Sequence, residues 1–390
     1  MKKIFLLLSL LPLLLSTGCT SGEGSGQHSR VEGGIDTLDF AHIVHFDHAR
    51  GLSVTNEEGY KEVVVFAPDS PDTLAVYILY PRGHRPELNT VPAQARFIPV
   101  PARTLGCIST TEIGALPLLG LRDRLVACGD VRNISDSILR QYVSEGKIAD
   151  IGLGMSRNVE QILSVRPEIL IQTFTDASAK DEDLTASGVE IVLFNGWKEQ
   201  TLLARAEWLK MLGMLFGRNR QAEQTFHVIE QEYRQAQALL GGDRQSIPIL
   251  YGQDYKGQWY VPGEYSYVTA MLHDAGLRYD YVPNQVASQP MSFEYVFSRH
   301  RHSKIWLSSV AGGVRTLEDF IGANERYAHF DATQTGSVWV DNKRINEYGG
   351  NDIWESGPYQ PHLILKDLIK IAHPDLLPEY ETTYWQELKR

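Results

Sequence analysis

The sequence predicts an α/β protein of two Rossmann-like lobes joined by one long rigid helix, preceded by an N-terminal β-meander. Three observations predict it. Short apolar runs alternate with helical patterns on both sides of the chain's middle, the signature of a parallel sheet covered by helices. Between those halves, residues 202–240 read as continuous helix with a single break at Gly217-Arg218-Asn219. Ahead of both, two strand-like runs are separated only by Pro68, Pro71 and Asp72, a connection short enough to make them antiparallel.

The bulk composition agrees. A chain of 390 residues, 43% hydrophobic and 22% charged, has the profile of a globular protein and excludes disordered, collagen-like and multi-span membrane classes. At this length two domains of roughly 150 residues are expected, each able to bury a core. Lys and Arg number 37 against 48 Asp and Glu, a formal net charge of -11, with no basic run. Nucleic acid is therefore not the expected partner.

The elements follow in order. Lys2 and Lys3 precede an apolar stretch, 4–15, and then Ser16-Thr17-Gly18-Cys19. This is an export signal, too short to span a bilayer of about 30 Å. Small residues before Cys19 resemble a bacterial lipobox, so 1–19 is expected to be a signal peptide ending at a lipidated Cys19. Residues 20–36, with Ser-Gly-Glu-Gly-Ser-Gly at 21–26, are a flexible linker. The mature chain is then exported and lipid-anchored, periplasmic or on the cell surface, touching the membrane through its anchor only. Cys107 and Cys128 remain; in an exported protein they permit either one disulfide or two buried thiols.

Residues 37–96 form the β-meander, with strands at 61–66 and 74–80, packed on the first lobe. Residues 97–201 form the N-terminal α/β lobe, with strands at 97–100, 125–127, 169–172 and 191–194 and helices at 111–119, 159–164 and 184–187. Residues 202–242 are the connecting helices. There Ala222, Phe226, Ile229, Tyr233, Ala236 and Leu240 recur at steps of three and four, one apolar stripe on a helix of about 20 residues and roughly 30 Å. Residues 243–390 form the C-terminal α/β lobe, with strands at 248–251, 259–261, 305–308 and 338–340 and helices at 267–275, 317–323 and 363–371. A faint internal repeat links the lobes: Glu160-Gln161-Ile162-Leu163-Ser164 precedes Ile169-Leu170-Ile171, as Glu294-Tyr295-Val296-Phe297-Ser298 precedes Ile305-Trp306-Leu307.

Four stretches then carry a resemblance: Ala102-Arg103-Thr104-Leu105-Gly106-Cys107-Ile108-Ser109-Thr110-Thr111-Glu112, Asn158-Val159-Glu160-Gln161-Ile162-Leu163, Arg166-Pro167-Glu168-Ile169-Leu170-Ile171, and Gly349-Gly350-Asn351-Asp352-Ile353-Trp354-Glu355-Ser356-Gly357. Together they resemble the ferric-siderophore, haem and vitamin B12 binding proteins of ABC importers, the class with a helical backbone between its lobes. The likeness covers roughly residues 40–385, although the second-lobe copy of the repeat has no Pro before Ile305. The resemblance implies a receptor and not an enzyme. It would be a monomer without cofactor or resident metal that holds a small-molecule metal chelate, a ferric siderophore, haem or cobalamin, and delivers it to a permease dimer. It also implies docking to that permease by one exposed glutamate on each lobe, Glu160 and Glu294, a role suited to carboxylates that steer association and fix register.

In open α/β sheets a ligand lies at the carboxyl ends of the strands. The first lobe offers Ser109, Thr110, Thr111, Phe174, Asn195 and Trp197 there; the second offers Tyr251, Gln253, Trp259, Tyr260, Tyr265 and Tyr267. Aromatic faces suit a flat macrocycle or a catecholate, with few rotamers to freeze. Aromatic residues are equally common in cores, and an acidic residue in a first helical turn also suits the helix dipole. His42, His45 and His48 stand three apart, a spacing that turns His45 away from the other two in a strand; no zinc site is expected. No Walker loop, Gly-x-Ser-x-Gly or His-Glu-x-x-His occurs. The alternatives to a receptor are an exported α/β enzyme, which needs a titratable constellation in its cleft, and a surface-anchored scaffold with a vestigial cleft.

Overall fold

The computed structural model describes residues 37–390 apart from 69, 93, 179, 242–244 and 310–312. The expected signal segment, Cys19 and the linker 20–36 lie outside the described residues.

The first sheet begins with the hairpin of β1 (Leu52–Glu57) and β2 (Tyr60–Phe66), turned at Gly59, whose φ of +83° suits a residue without Cβ. Burial alternates along β2, so Lys61, Val63 and Val65 face inward. Strand β3 (Thr73–Pro81) pairs antiparallel with β2, and β4 (Ala95–Val100) pairs parallel with β3. This corrects the expectation that 97–100 is the first strand of lobe 1. Pro99 has no N–H to donate, which suits the edge position that β4 occupies and not a strand flanked on both sides. Leu193 N donates to Tyr77 Oη at 2.7 Å, and Val63, Val65, Tyr77 and Leu79 share one core with Leu105 and Cys107; the sheet is packed on lobe 1.

Lobe 1 is a five-stranded parallel sheet of β5 (Leu105–Cys107), β6 (Leu125–Cys128), β7 (Ala149–Asp150), β8 (Ile169–Gln172) and β9 (Glu190–Leu193), in the order β7-β6-β5-β8-β9. Cys107 and Cys128 are ladder partners in β5 and β6, both fully buried and both free. Of the two alternatives for this pair the structure holds the thiols and not the disulfide. Burial, the largest cause, pushes both thiols well above their usual range.

The connection is three helices in succession: Leu202–Glu207, Leu209–Leu215 and Asn219–Ala238. Every residue from 202 to 216 is buried. The chain turns at Gly217, φ +64°, where the sequence places the break. The third helix has 20 residues and buries Ala222, Phe226, Ile229, Tyr233 and Ala236, the predicted stripe. Its first half, through Ile229, belongs to the lobe 1 core, and Tyr233 and Ala236 belong to the core of lobe 2.

In lobe 2 the broken strand Ile247–Pro248 and Leu250–Tyr251 pairs parallel with Leu277–Arg278 on one side and Ile305–Ser308 on the other. Ser337–Val340 continues the parallel sheet and Gln386–Glu387 closes it antiparallel. A separate antiparallel sheet joins Asp254–Tyr255, Gln258–Val261 and Gln289–Met291.

The segment 39–51 straps the connecting helices. Asp39 accepts the N–H groups of Asn219 and Arg220 at 2.9 and 3.0 Å, satisfying the start of the long helix. Glu207, fully buried, accepts from the N–H groups of Asp47, His48 and Ala49 at 2.9, 2.8 and 2.7 Å and pairs with Lys210 at 2.9 Å. Glu199 accepts from Gly51 N at 2.8 Å and Trp208 Nε1 at 2.9 Å.

Candidate binding cleft

Strand order fixes where a crevice opens. In lobe 1 the connections diverge between β5 and β8, and the crevice of an open parallel sheet lies at the carboxyl ends of such a pair. The loop after β5 carries Ser109, Thr110 and Thr111, all half-buried, with Ser109 Oγ accepting from Thr111 N at 3.1 Å. Glu112 follows, opening the short turn Glu112–Ala115 and only 3% exposed. Burial is the main force that pushes its carboxyl up to about 8, with the nearby Asp176 adding to it. Its Oε2 has no hydrogen-bond partner among the described residues.

The loop after β8 carries Phe174, whose N–H donates to Asn195 Oδ1 at 3.0 Å. Its ring stacks on Trp197 with centroids 6.3 Å apart and planes 4° from parallel. Asn195 is buried with its Nδ2 unpartnered, and Trp197 is 36% exposed with Lys198 Nζ 4.6 Å from its centroid. The loops after β5, β8 and β9, which carry these six residues, all leave the carboxyl end of the parallel sheet.

In lobe 2 the corresponding point lies between Leu250–Tyr251 and Ile305–Ser308. Gln253 Oε1 accepts from Ser308 Oγ at 3.2 Å. Burial, the largest cause, and the charges of Tyr267 and Asp341 push the Tyr251 hydroxyl well up; Arg205 acts in the opposite direction. Tyr267 opens the helix Tyr267–Asp274, and its ring centroid lies 4.2 Å from the Arg205 guanidinium. Arg205 comes from the connecting helix Leu202–Glu207 and is 7% exposed, with Nε unpartnered among the described residues. Thr111, Glu112, Trp197, Arg205 and Tyr359 line one cavity of about 10 Å³, room for about one water.

One expected ligand residue lies in the core. Trp259 is 0% exposed and belongs to the lobe 2 core, its ring 5.7 Å from Trp306 and its Nε1 donating to Tyr251 O. Along Gln258–Val261 alternate residues are buried, so the strand turns Trp259 and Val261 inward and Tyr260 outward. Tyr260 and Tyr265 are 45% and 47% exposed, and neither lines the cavity beneath Arg205. Glu160 and Glu294 are both exposed in first helical turns, behind the caps Asn158 and Ser292; Glu294 lies 3.6 Å from Arg326 Nη1.

Glu112, Arg205 and Tyr359 were missed as site residues. Arg205 left a signal: with Glu207 and Lys210 it interrupts an otherwise apolar run at 202–216, and charges in such a run are buried and need partners. A second lobe contact also went unread. Glu355 accepts from Ser135 N at 2.7 Å and Asp136 N at 2.9 Å, and a Cβ on Gly114 would lie 1.8 Å from Glu355 O. Burial, outweighing those two N–H groups, pushes the Glu355 carboxyl up to about 7.

A family model described as periplasmic binding protein matches residues 106–344, more than half of the chain. An uncharacterized lipoprotein of Methanocaldococcus jannaschii is 22% identical over 306 residues, covering 74% of this chain and 70% of that protein. Among solved structures, a periplasmic heme binding protein from Pseudomonas aeruginosa aligns with a TM-score of 0.56 at 17% identity, covering 74% of this chain and 99% of that one. A Helicobacter pylori protein solved with nickel(II) bound aligns with a TM-score of 0.54 at 16% identity, covering 73% and 88%. The predicted two-lobed α/β architecture is the fold they share with this chain.

Proposed function

Because this chain belongs to the periplasmic binding protein family, we propose that it is the substrate-binding lipoprotein of an ABC importer. It captures an iron chelate, siderophore or haem, or a cobalamin between its lobes and hands it to the permease. The observation that carries this reading is the cavity that Thr111 and Glu112 of lobe 1 share with Arg205 of the connection and with Pro358 and Tyr359, while Tyr267 of lobe 2 packs its ring on the same Arg205. A group bound there touches both lobes at once, which is how a two-lobed receptor senses occupancy. The curated relative's designation as a lipoprotein supports the anchor at Cys19. Glu160 and Glu294, exposed at two helix starts, are the residues proposed to meet the permease.

The test is tryptophan fluorescence of the full chain in mild detergent, titrated separately with haemin, cyanocobalamin and a ferric catecholate. Trp197 is the reporter in the cleft, and Trp259, sealed in the core, contributes a constant background. One compound is expected to quench saturably at submicromolar concentration, with the response lost in Trp197→Phe. A flat response to all three would return the exported-enzyme reading to first place.

A further inference from the structure

We propose that Arg205 is the anchor for a carboxylate of the bound ligand, so that the cargo is a carboxylate-bearing chelate; this rests on the receptor reading above. The argument is one of charge. A guanidinium stays protonated in any protein setting, and removing one from water costs several kcal/mol unless an anion or a full set of acceptors replaces the water. Arg205 is 7% exposed, and among the described residues it forms no ion pair and its Nε has no acceptor. Its close partner among the described residues is the Tyr267 ring at 4.2 Å, which offsets part of that cost and neutralises nothing.

The acids nearby do not fill the role. Glu207, two residues along the same helix, is engaged by three backbone N–H groups and Lys210. Glu112 lines the same cavity, yet burial holds its carboxyl protonated at neutral pH, with the pKa pushed up to about 8. The cavity between them has room for about one water, and a water satisfies a donor without balancing a charge.

What is missing is one negative charge with two acceptor oxygens in a plane, which matches the guanidinium fork. A carboxylate supplies a single charge; a phosphate monoester brings about −1.5 to −2 and would leave a net buried anion. A protonated Glu112, which lines the same cavity, does not repel a carboxylate there as an ionised one would. Arg205 reaches the cleft from the helix that joins the lobes, with Thr111 on one side and Tyr267 on the other. A carboxylate seated there acts on both lobes through one residue. The cavity has room for about one water, so the side chains that line it must shift to admit the carboxylate.

The experiment is equilibrium titration of the full chain in mild detergent with haemin, haemin dimethyl ester, ferric citrate, cyanocobalamin and a neutral ferric hydroxamate. Haemin or ferric citrate is expected to bind, at least tenfold tighter than the ester or the carboxylate-free chelates. Arg205→Gln is expected to lose at least tenfold for the carboxylate ligand and nothing for the others, with Arg205→Lys intermediate. The haemin-to-ester comparison uses the unaltered protein, so a misfolded Arg205→Gln does not remove the test. Equal affinities for haemin and its ester, or tight binding of only cyanocobalamin or the hydroxamate with Arg205→Gln unchanged, would overturn the anchor and leave the receptor standing. No binding of any chelate would overturn both.

Discussion

Glu112 and Glu355 show what burial does to single residues of one type. Both carboxyls are held above the ordinary range, at about 8 and about 7, chiefly by desolvation. A raised carboxyl means that the folded protein binds protons the unfolded chain has released. The stabilisation is therefore complete below about pH 4.5 and is lost as pH rises through 7 and 8. The melting temperature is expected to fall between pH 5 and pH 8 in scanning calorimetry, and Glu112→Gln to flatten part of that decline, since Gln is an uncharged stand-in for the protonated acid. A steeper decline in the variant would contradict the assignment. The two tryptophans make the same point about aromatics. Trp197 and Trp259 were both expected in the cleft, yet one is 36% exposed and the other 0%, because Trp197 lies in the turn Gly196–Lys198 after β9 and Trp259 lies on a strand whose pleat turns it inward.

The connecting helices show how an element takes its stability from packing. Asn219–Ala238 carries an apolar stripe legible at steps of three and four. The helices before it are different: they are buried on all sides and so include Arg205, Glu207 and Lys210 among apolar neighbours. Glu207 is compensated by the strap, through the N–H groups of Asp47, His48 and Ala49 and the Lys210 ammonium. Glu207→Ala would leave three buried donors unmet and Lys210 with only the more distant Glu223, at 3.6 Å, and is expected to cost about 3 kcal/mol in denaturant unfolding. Glu145→Ala, which removes the exposed pair with Lys147, is expected to leave the unfolding midpoint almost unchanged. Equal losses would show that the strap does not hold the helices. Strand β4 is the converse case: its composition reads as strand correctly, and its partner was misassigned because pairing is a property of the sheet.

Across the whole molecule, one helix buries its first half in the core of lobe 1 and its second half in the core of lobe 2. Bending between the lobes would have to break one of those contacts, so closure around a ligand is expected to be small. The Glu355 contact to Ser135 and Asp136 adds a second tie between lobes. Docking belongs to this scale, because a permease dimer can read two lobes only if their spacing is fixed. Glu160→Ala with Glu294→Ala is expected to leave chelate affinity unchanged and to abolish uptake by cells carrying the variant. Uptake at the normal rate would remove both residues from that role.

The sequence by itself determined the class of the fold, the connecting helices, the break near Gly217 and most of the parallel strands. These follow from local signals, since periodicity and turn residues are written in consecutive positions. It also identified the loops after β5 and β8, because a parallel sheet has only one end at which loops can build a crevice. Tertiary structure alone decided that the run 97–100 joins the first sheet, that Cys107 and Cys128 stay unbridged, and that Trp259 is core. It alone brought Arg205 against Tyr267 and set Glu112 and Tyr359 on the same cavity. Each of these depends on contacts between residues tens to hundreds of positions apart, and the burial that sets their charge and exposure exists only after the lobes have packed.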